Sequence, residues 1–204
     1  MLLASAICSC SEKQPETTEP MITKTEIQVE NGLLTPEIMH RLGKVGDVQV
    51  SPNHAKILYG VSYTSIEQNK GNRELYLMNV DGSENVKITN TPKSESNARW
   101  INDSQIIYMR SGKLYTATIE GSTLKNETEV AGAEGMESFE LSPAGDKLMF
   151  IKSVKAAQKP TDVYADLDKS SGRTYTDLMY RHWDHFVEEV PHTYVASFNG
   201  TQIS

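Results

Sequence analysis

The densest titratable chemistry in the chain lies at Arg181, His182, Trp183, Asp184 and His185. On a helix, His182 and His185 share a face at i, i+3 and could ligate a metal. A third protein ligand is not evident and the spacing matches no zinc motif, so neither a metal nor a cofactor is expected. The favoured reading has Trp183 burying its ring while Arg181 or Asp184 forms a structural ion pair. Glu188 and Glu189 place two carboxylates side by side, a pattern that suits an ammonium group. Adjacent acids near a helix end are more simply a solvated face, and that reading is preferred. Ser122-Thr123-Leu124-Lys125 has the letters of Ser-x-x-Lys but sits in a polar loop without companion motifs. Gly60-Val61-Ser62-Tyr63-Thr64 approaches the Gly-x-Ser-x-Gly of a strained nucleophile elbow. It lacks the last glycine and falls within an expected strand. No catalytic residue is assigned in the chain.

The elements that position these residues are announced by a repeated phrase, Tyr-x-x-x-hydrophobic-(acid or amide)-Gly. It occurs at Tyr76–Gly82, Tyr115–Gly121 and Tyr194–Gly200; the first two tyrosines are 39 residues apart and the third follows 79 later. Each copy reads as a strand entering a tight turn, with Asp-Gly or Asn-Gly supplying positive φ. A second phrase interleaves: Val50-Ser51-Pro52 leads into Ile57-Leu58-Tyr59, Leu141-Ser142-Pro143 leads into Leu148-Met149-Phe150, and a degraded copy runs from Trp100 to Tyr108. Ser-Pro presets a turn and a β-rich run follows. Four strands per period of about 40 residues predict β-propeller blades.

The expected fold is therefore all-β: an incomplete β-propeller of about three four-stranded antiparallel blades, WD40-like or TolB-like, at residues 47–91, 97–132 and 136–204. Strands are expected near residues 47–50, 57–63, 74–80 and 86–89, then 98–101, 106–110, 114–119 and 129–131, then 138–141 and 147–154. Tyr76, Tyr115 and Tyr194 should bury their rings and find hydroxyl partners. Thr35-Pro36-Glu37 starts a short helix ended by Gly43, with Ile38, Met39 and Leu42 on one face. In the third blade, residues 155–191 form an insert where the second blade uses three residues. Asp177 caps a predicted helix there, with Met179, Trp183, Phe186, Val187 and Val190 on one face. Propellers close with about 4–8 blades, so three imply the N-terminal fragment of a larger fold.

Composition supports a soluble domain: 38 % hydrophobic, 23 % charged, net charge −7 and no basic cluster, which argues against nucleic acid as a partner. No interior apolar run is long enough to span a bilayer. Residues 1–10 are apolar and small, like the back half of an export signal. Ile7-Cys8-Ser9-Cys10 resembles a bacterial lipobox, which makes Cys10 the expected lipidation site, its thioether anchoring the chain to a membrane. Both cysteines lie here, so no disulfide framework is expected. Residues 11–33 follow as a polar, flexible tether.

Leu34-Thr35-Pro36-Glu37, Arg41-Leu42, Val45-Gly46-Asp47 and Val50-Ser51-Pro52 resemble the opening of the propeller in the prolyl oligopeptidase (S9) family. The similarity is greatest to its dipeptidyl-peptidase and acylaminoacyl-peptidase branch. Asp177-Leu178-Met179-Tyr180-Arg181-His182-Trp183-Asp184 resembles a segment of that branch at the same place. The resemblance covers roughly residues 34–204. It implies a partner C-terminal α/β-hydrolase domain that carries a Ser-Asp-His triad and acts on peptide substrates, with the propeller gating access to it. It also implies that Arg181, His182, Trp183 and Asp184 border the substrate cavity. The expected location is the bacterial cell envelope, lipid-anchored in the periplasm or at the outer membrane. The alternative is a non-catalytic TolB-like periplasmic propeller that binds protein partners.

Overall fold

The computed structural model describes residues 21–156, 160–171 and 188–204. After a helix, α1 (Pro36–Arg41), the chain forms three antiparallel meanders. The first sheet is β1 (Lys44–Val50), β2 (Lys56–Ser65), β3 (Lys70–Asn79) and β4 (Val86–Lys87). The second is β5 (Glu95–Trp100), β6 (Gln105–Arg110), β7 (Lys113–Glu120) and β8 (Thr123–Glu129). The third is β9 (Ser138–Leu141), β10 (Lys147–Lys155) and β11 (Glu189–Ser197), with a second short helix, α2 (Pro160–Val163), between its last two strands. A bridge between Phe198 and Ile203 then folds the chain back around Asn199-Gly200. The repeat thus gives sheets of the expected four-stranded order, the third described as three strands and this returning hairpin.

Helix α1 begins as its sequence requires: the Thr35 hydroxyl accepts from the Ile38 amide at 3.3 Å, and Pro36 occupies the first turn. At the Ser-Pro turns, the Ser51 hydroxyl oxygen accepts from the Lys56 amide at 2.9 Å, and Ser142 does the same for Lys147 at 3.0 Å. The two phrases meet across each sheet. Tyr59 pairs with Tyr76, Tyr108 with Tyr115 and Phe150 with Tyr194, and the rings stack at 5.5, 6.1 and 5.4 Å between centroids. Burial falls more on the partner ring than expected. Tyr108 is fully buried and Tyr59 nearly so, whereas Tyr76 and Tyr115 are half-buried and Tyr194 is exposed.

Stacking of the sheets follows from strand alternation. In β6, Ile106 and Tyr108 enter a core with Leu58, Leu75, Leu77 and Trp100, between the first and second sheets. Their neighbours Ile107 and Met109 enter the opposite core, with Phe139, Leu148, Phe198 and Ile203 of the third. The second sheet is therefore buried on both faces, which is why β6 is a continuous apolar run.

The inner strands are also stitched side to side. The Asn97 amide donates to Asp47 at 3.2 Å, its side-chain amide donates to the Phe139 carbonyl at 2.7 Å, and the Trp100 indole donates to the Gln49 carbonyl at 3.3 Å. Asp47 and Asn97 both adopt positive φ where their strands bulge. Arg99 clamps Glu140 of β9 through two hydrogen bonds of 3.1 and 2.8 Å, and these hold the Glu140 carboxyl below its ordinary range. Because Glu140 is exposed, Arg99→Gln is expected to cost only about 0.5–1 kcal/mol in urea denaturation. That loss should shrink in molar salt.

Several boundaries differ from expectation. The fourth strand of the second sheet is Thr123–Glu129, not residues 129–131; it is a polar edge strand with no apolar alternation to announce it. Strand β5 starts at Glu95 rather than at 98, its apolar pattern being masked by the bulge at Asn97. The insert is shorter than residues 155–191, because Lys155 pairs with Glu189 and Val154 with Val190. Pro191 is tolerated inside β11 because that strand lies at the sheet edge. Val190 and Glu189 accordingly belong to a strand, not to a helix face or a helix end.

Candidate functional site

All connections between sheets, and the hairpin that carries the insert, leave from one edge of the stack. In the second sheet that hairpin is a two-residue turn, Ser111-Gly112, both at positive φ. In the third it opens into residues 156–188, with α2 near its start and a Lys155–Asp162 ion pair beside it. The Ala156 amide donates to the Glu188 carbonyl at 2.9 Å and closes the mouth.

Beside this mouth lies a cavity of about 290 Å³ between the third sheet and the connector that leads into it. Phe150, Lys152 and Val154 reach it from alternate positions of β10, Tyr194 from β11, and Glu134 and Met136 from the connector before β9. The stacked Phe150 and Tyr194 rings form an aromatic wall, extended by His192 at 6.5 Å from Tyr194. Gly135 is required where the connector passes Lys152. It holds a φ of +73°, and a Cβ there would come within 3.3 Å of the lysine Cε. The cavity thus sets one ammonium and one carboxylate beside an apolar wall. No nucleophile–base pair is among its lining residues.

Arg181, His182, Trp183 and Asp184, expected at the substrate cavity, lie outside the described residues, as do Cys10 and the helix predicted from Asp177. Among the described residues no group of three metal-ligating side chains occurs, and no helix is long and apolar enough to cross a membrane. Ser62 is not on an elbow: it sits within β2, its hydroxyl accepting from Arg73 at 3.3 Å. Thr123 and Lys125 lie in β8. The cavity was not anticipated from sequence. Its walls come from residues more than 50 positions apart, each of ordinary type, and the repeated phrases mark only Phe150 and Tyr194 among them.

Stacked antiparallel meanders of this order define a repeat scaffold of the propeller-blade kind, and comparisons with known proteins agree. No protein-family model matches the chain. It is 35 % identical over 167 residues to dipeptidyl-peptidase 5 of Porphyromonas gingivalis, covering 80 % of this chain and 24 % of that protein. Its identity to the same enzyme of Porphyromonas endodontalis is 34 % over 178 residues, 85 % of this chain and 26 % of the relative. In structure it resembles Pyrococcus horikoshii acylaminoacyl peptidase, with a TM-score of 0.57 and 14 % identity over 81 % of this chain and 25 % of that one. A similar likeness holds to the AtxE2 isopeptidase, with a TM-score of 0.51 and 14 % identity over 80 % of this chain and 30 % of that one. The chain belongs to the prolyl oligopeptidase (S9) family, with the dipeptidyl-peptidase 5 proteins as its relatives. It spans about a quarter of the length of the curated relatives it matches.

Proposed function

We propose that the chain is the propeller portion of an exported serine exopeptidase that releases short peptides from oligopeptide N-termini. The propeller governs which substrates reach a separate α/β-hydrolase domain. The carrying observation is the 35 % identity to a dipeptidyl peptidase sustained over 80 % of the chain. Two further observations fit this reading. Met149 and Val195 leave an exposed apolar pair on the open face of the third sheet, which fits the stacking of a further sheet there. The cavity by Lys152 lies beside the mouth of the insert, where a substrate path would pass in this reading. In this reading Arg181, His182, Trp183 and Asp184 border the substrate path, and Cys10 carries a lipid that holds the enzyme at the cell envelope.

The test is a chromogenic dipeptidyl assay on residues 1–204 alone and on the same chain joined to its hydrolase domain. Turnover is expected only from the joined protein, and turnover by residues 1–204 would refute the assignment. Within the joined protein, Trp183→Ala or Arg181→Ala should raise KM or lower kcat; unchanged kinetics would remove both residues from the substrate path. A gene whose sequence ends after further sheets, with no Gly-x-Ser-x-Gly domain, would instead identify a partner-binding propeller.

A further inference from the structure

Two buried carboxyls meet where the first sheet hands over to the second. Glu74, on β3, and Glu95, at the start of β5, are 2 % and 0 % exposed. The connector between β4 and β5 runs between them, and its donors are shared unequally. Glu74 accepts the Thr89 hydroxyl at 2.7 Å, and the Asn72 side-chain amide and the Thr91 backbone amide at 3.2 Å each. Three donors on two oxygens satisfy a buried carboxylate. Glu95 has far less. Its Oε1 lies 2.7 Å from the Thr91 hydroxyl, and its Oε2 has no hydrogen-bond partner among the described residues.

Proton counting at Thr91 decides what Glu95 is. The Thr91 oxygen stands 2.7 Å from Glu95 Oε1 and 2.6 Å from the Lys93 carbonyl oxygen, while accepting from the Lys93 amide at 3.2 Å. A hydroxyl owns one proton and two lone pairs. If Glu95 is ionised, that single proton must serve two acceptors, and one short oxygen–oxygen contact is left without hydrogen. If Glu95 carries a proton on Oε1, it donates to Thr91, Thr91 donates to the Lys93 carbonyl, and every contact is satisfied.

The charges around Glu95 do not reverse this. From β6, Arg110 stands 3.7 Å from Glu95 Oε1, within ion-pair distance but beyond hydrogen-bond reach. The same guanidinium donates to Glu127 of β8 at 2.5 and 3.0 Å and stacks 4.3 Å over the Tyr115 ring of β7. Tyr108, also of β6, donates to Glu127 as well, and Glu74 of β3 adds a like charge. Burial first, and then the Glu74 charge, push the Glu95 carboxyl up to about 7, against the lowering effects of Thr91, Thr89 and Arg110.

We propose that a proton on Glu95 is a structural component of the junction between the first and second sheets, closing the chain Glu95–Thr91–Lys93, and that the junction loosens when this proton is lost. The sign follows from linkage. The folded state holds the proton more tightly than the unfolded state, so the contribution is complete in acid. It is lost as pH rises from the ordinary carboxylate range towards neutrality.

The experiment uses the full chain of residues 1–204. Carbon-13 NMR of the glutamate carboxyls should show Glu95 titrating near neutral pH, and a midpoint below about 5 would overturn the proposal. Between pH 5 and 8 the unfolding equilibrium constant should rise by roughly one to two orders of magnitude. Glu95→Gln, whose amide can donate to Thr91 at any pH, should flatten that rise, and an unchanged rise in this variant would equally overturn the proposal. Should Glu95→Gln fail to fold, the titration of the unaltered chain decides the question.

Discussion

Tyr108→Ala is expected to destabilise the chain by about 3–5 kcal/mol, the range for truncating a large aromatic residue in a packed core. Among the described residues Tyr108 is the largest fully buried side chain, and its ring joins the core between the first and second sheets. Its hydroxyl donates to Glu127, the carboxylate that also receives both Arg110 hydrogen bonds. Burial alone would push Glu127 up, but the Arg110 and Tyr108 hydrogen bonds outweigh it and hold it below the ordinary range. Truncation therefore opens a cavity and removes one donor from that carboxylate. Tyr108→Phe separates the two effects: it keeps the ring stacked on Tyr115 and should lose only about 1 kcal/mol. Urea denaturation of both variants checks this, and equal losses would mean that the hydroxyl, not the ring, dominates.

Gly60→Ala should cost about 2–4 kcal/mol, combining overpacking with damage to a half-buried ion pair. Gly60 lies at the centre of β2, and the Arg73 side chain is laid directly across it. A Cβ there would stand 2.3 Å from Arg73 Nε and 2.6 Å from Cζ. Arg73 cannot simply swing away, because its guanidinium is 2.9 Å from Asp47 and 3.3 Å from the Ser62 hydroxyl. Asp47 in turn receives the Asn97 amide from the next sheet, so displacing one arginine disturbs the seam between inner strands. A double-mutant cycle tests the argument. Once Arg73→Ala has removed the obstruction, adding Gly60→Ala should be nearly neutral, since alanine is ordinarily the better strand residue. An undiminished cost in that background would show that the backbone, not Arg73, demands glycine.

The sheets were legible because their two phrases are local: Ser-Pro turns, Asp-Gly turns and the aromatic residue each phrase contributes. The stacked pairs Tyr59–Tyr76, Tyr108–Tyr115 and Phe150–Tyr194 join one ring from each phrase. Strand β8 escaped because Thr123–Glu129 is an edge strand, whose pairing is done by backbone and leaves no apolar imprint. The Glu74–Thr91–Glu95 junction and the cavity by Lys152 escaped for another reason. They are assembled from ordinary residues on separate strands, and only register brings them together. Arg73 over Gly60 is of the same kind: thirteen positions apart in sequence, they meet because Ser62 pairs with Arg73 across β2 and β3.

The hairpin between β10 and β11 is zipped shut by nine successive residue pairs, from Lys147–Ser197 to Lys155–Glu189. What is hung beyond that zipper matters little to the sheet: each doubling of a flexible loop adds only about 0.6 kcal/mol of closure cost. The equivalent hairpin of the second sheet manages with two residues. This edge is therefore a natural graft point, where segments of different length and chemistry can be exchanged while the sheets beneath keep their register. Diversification at this single hairpin would change what the scaffold meets without asking it to refold.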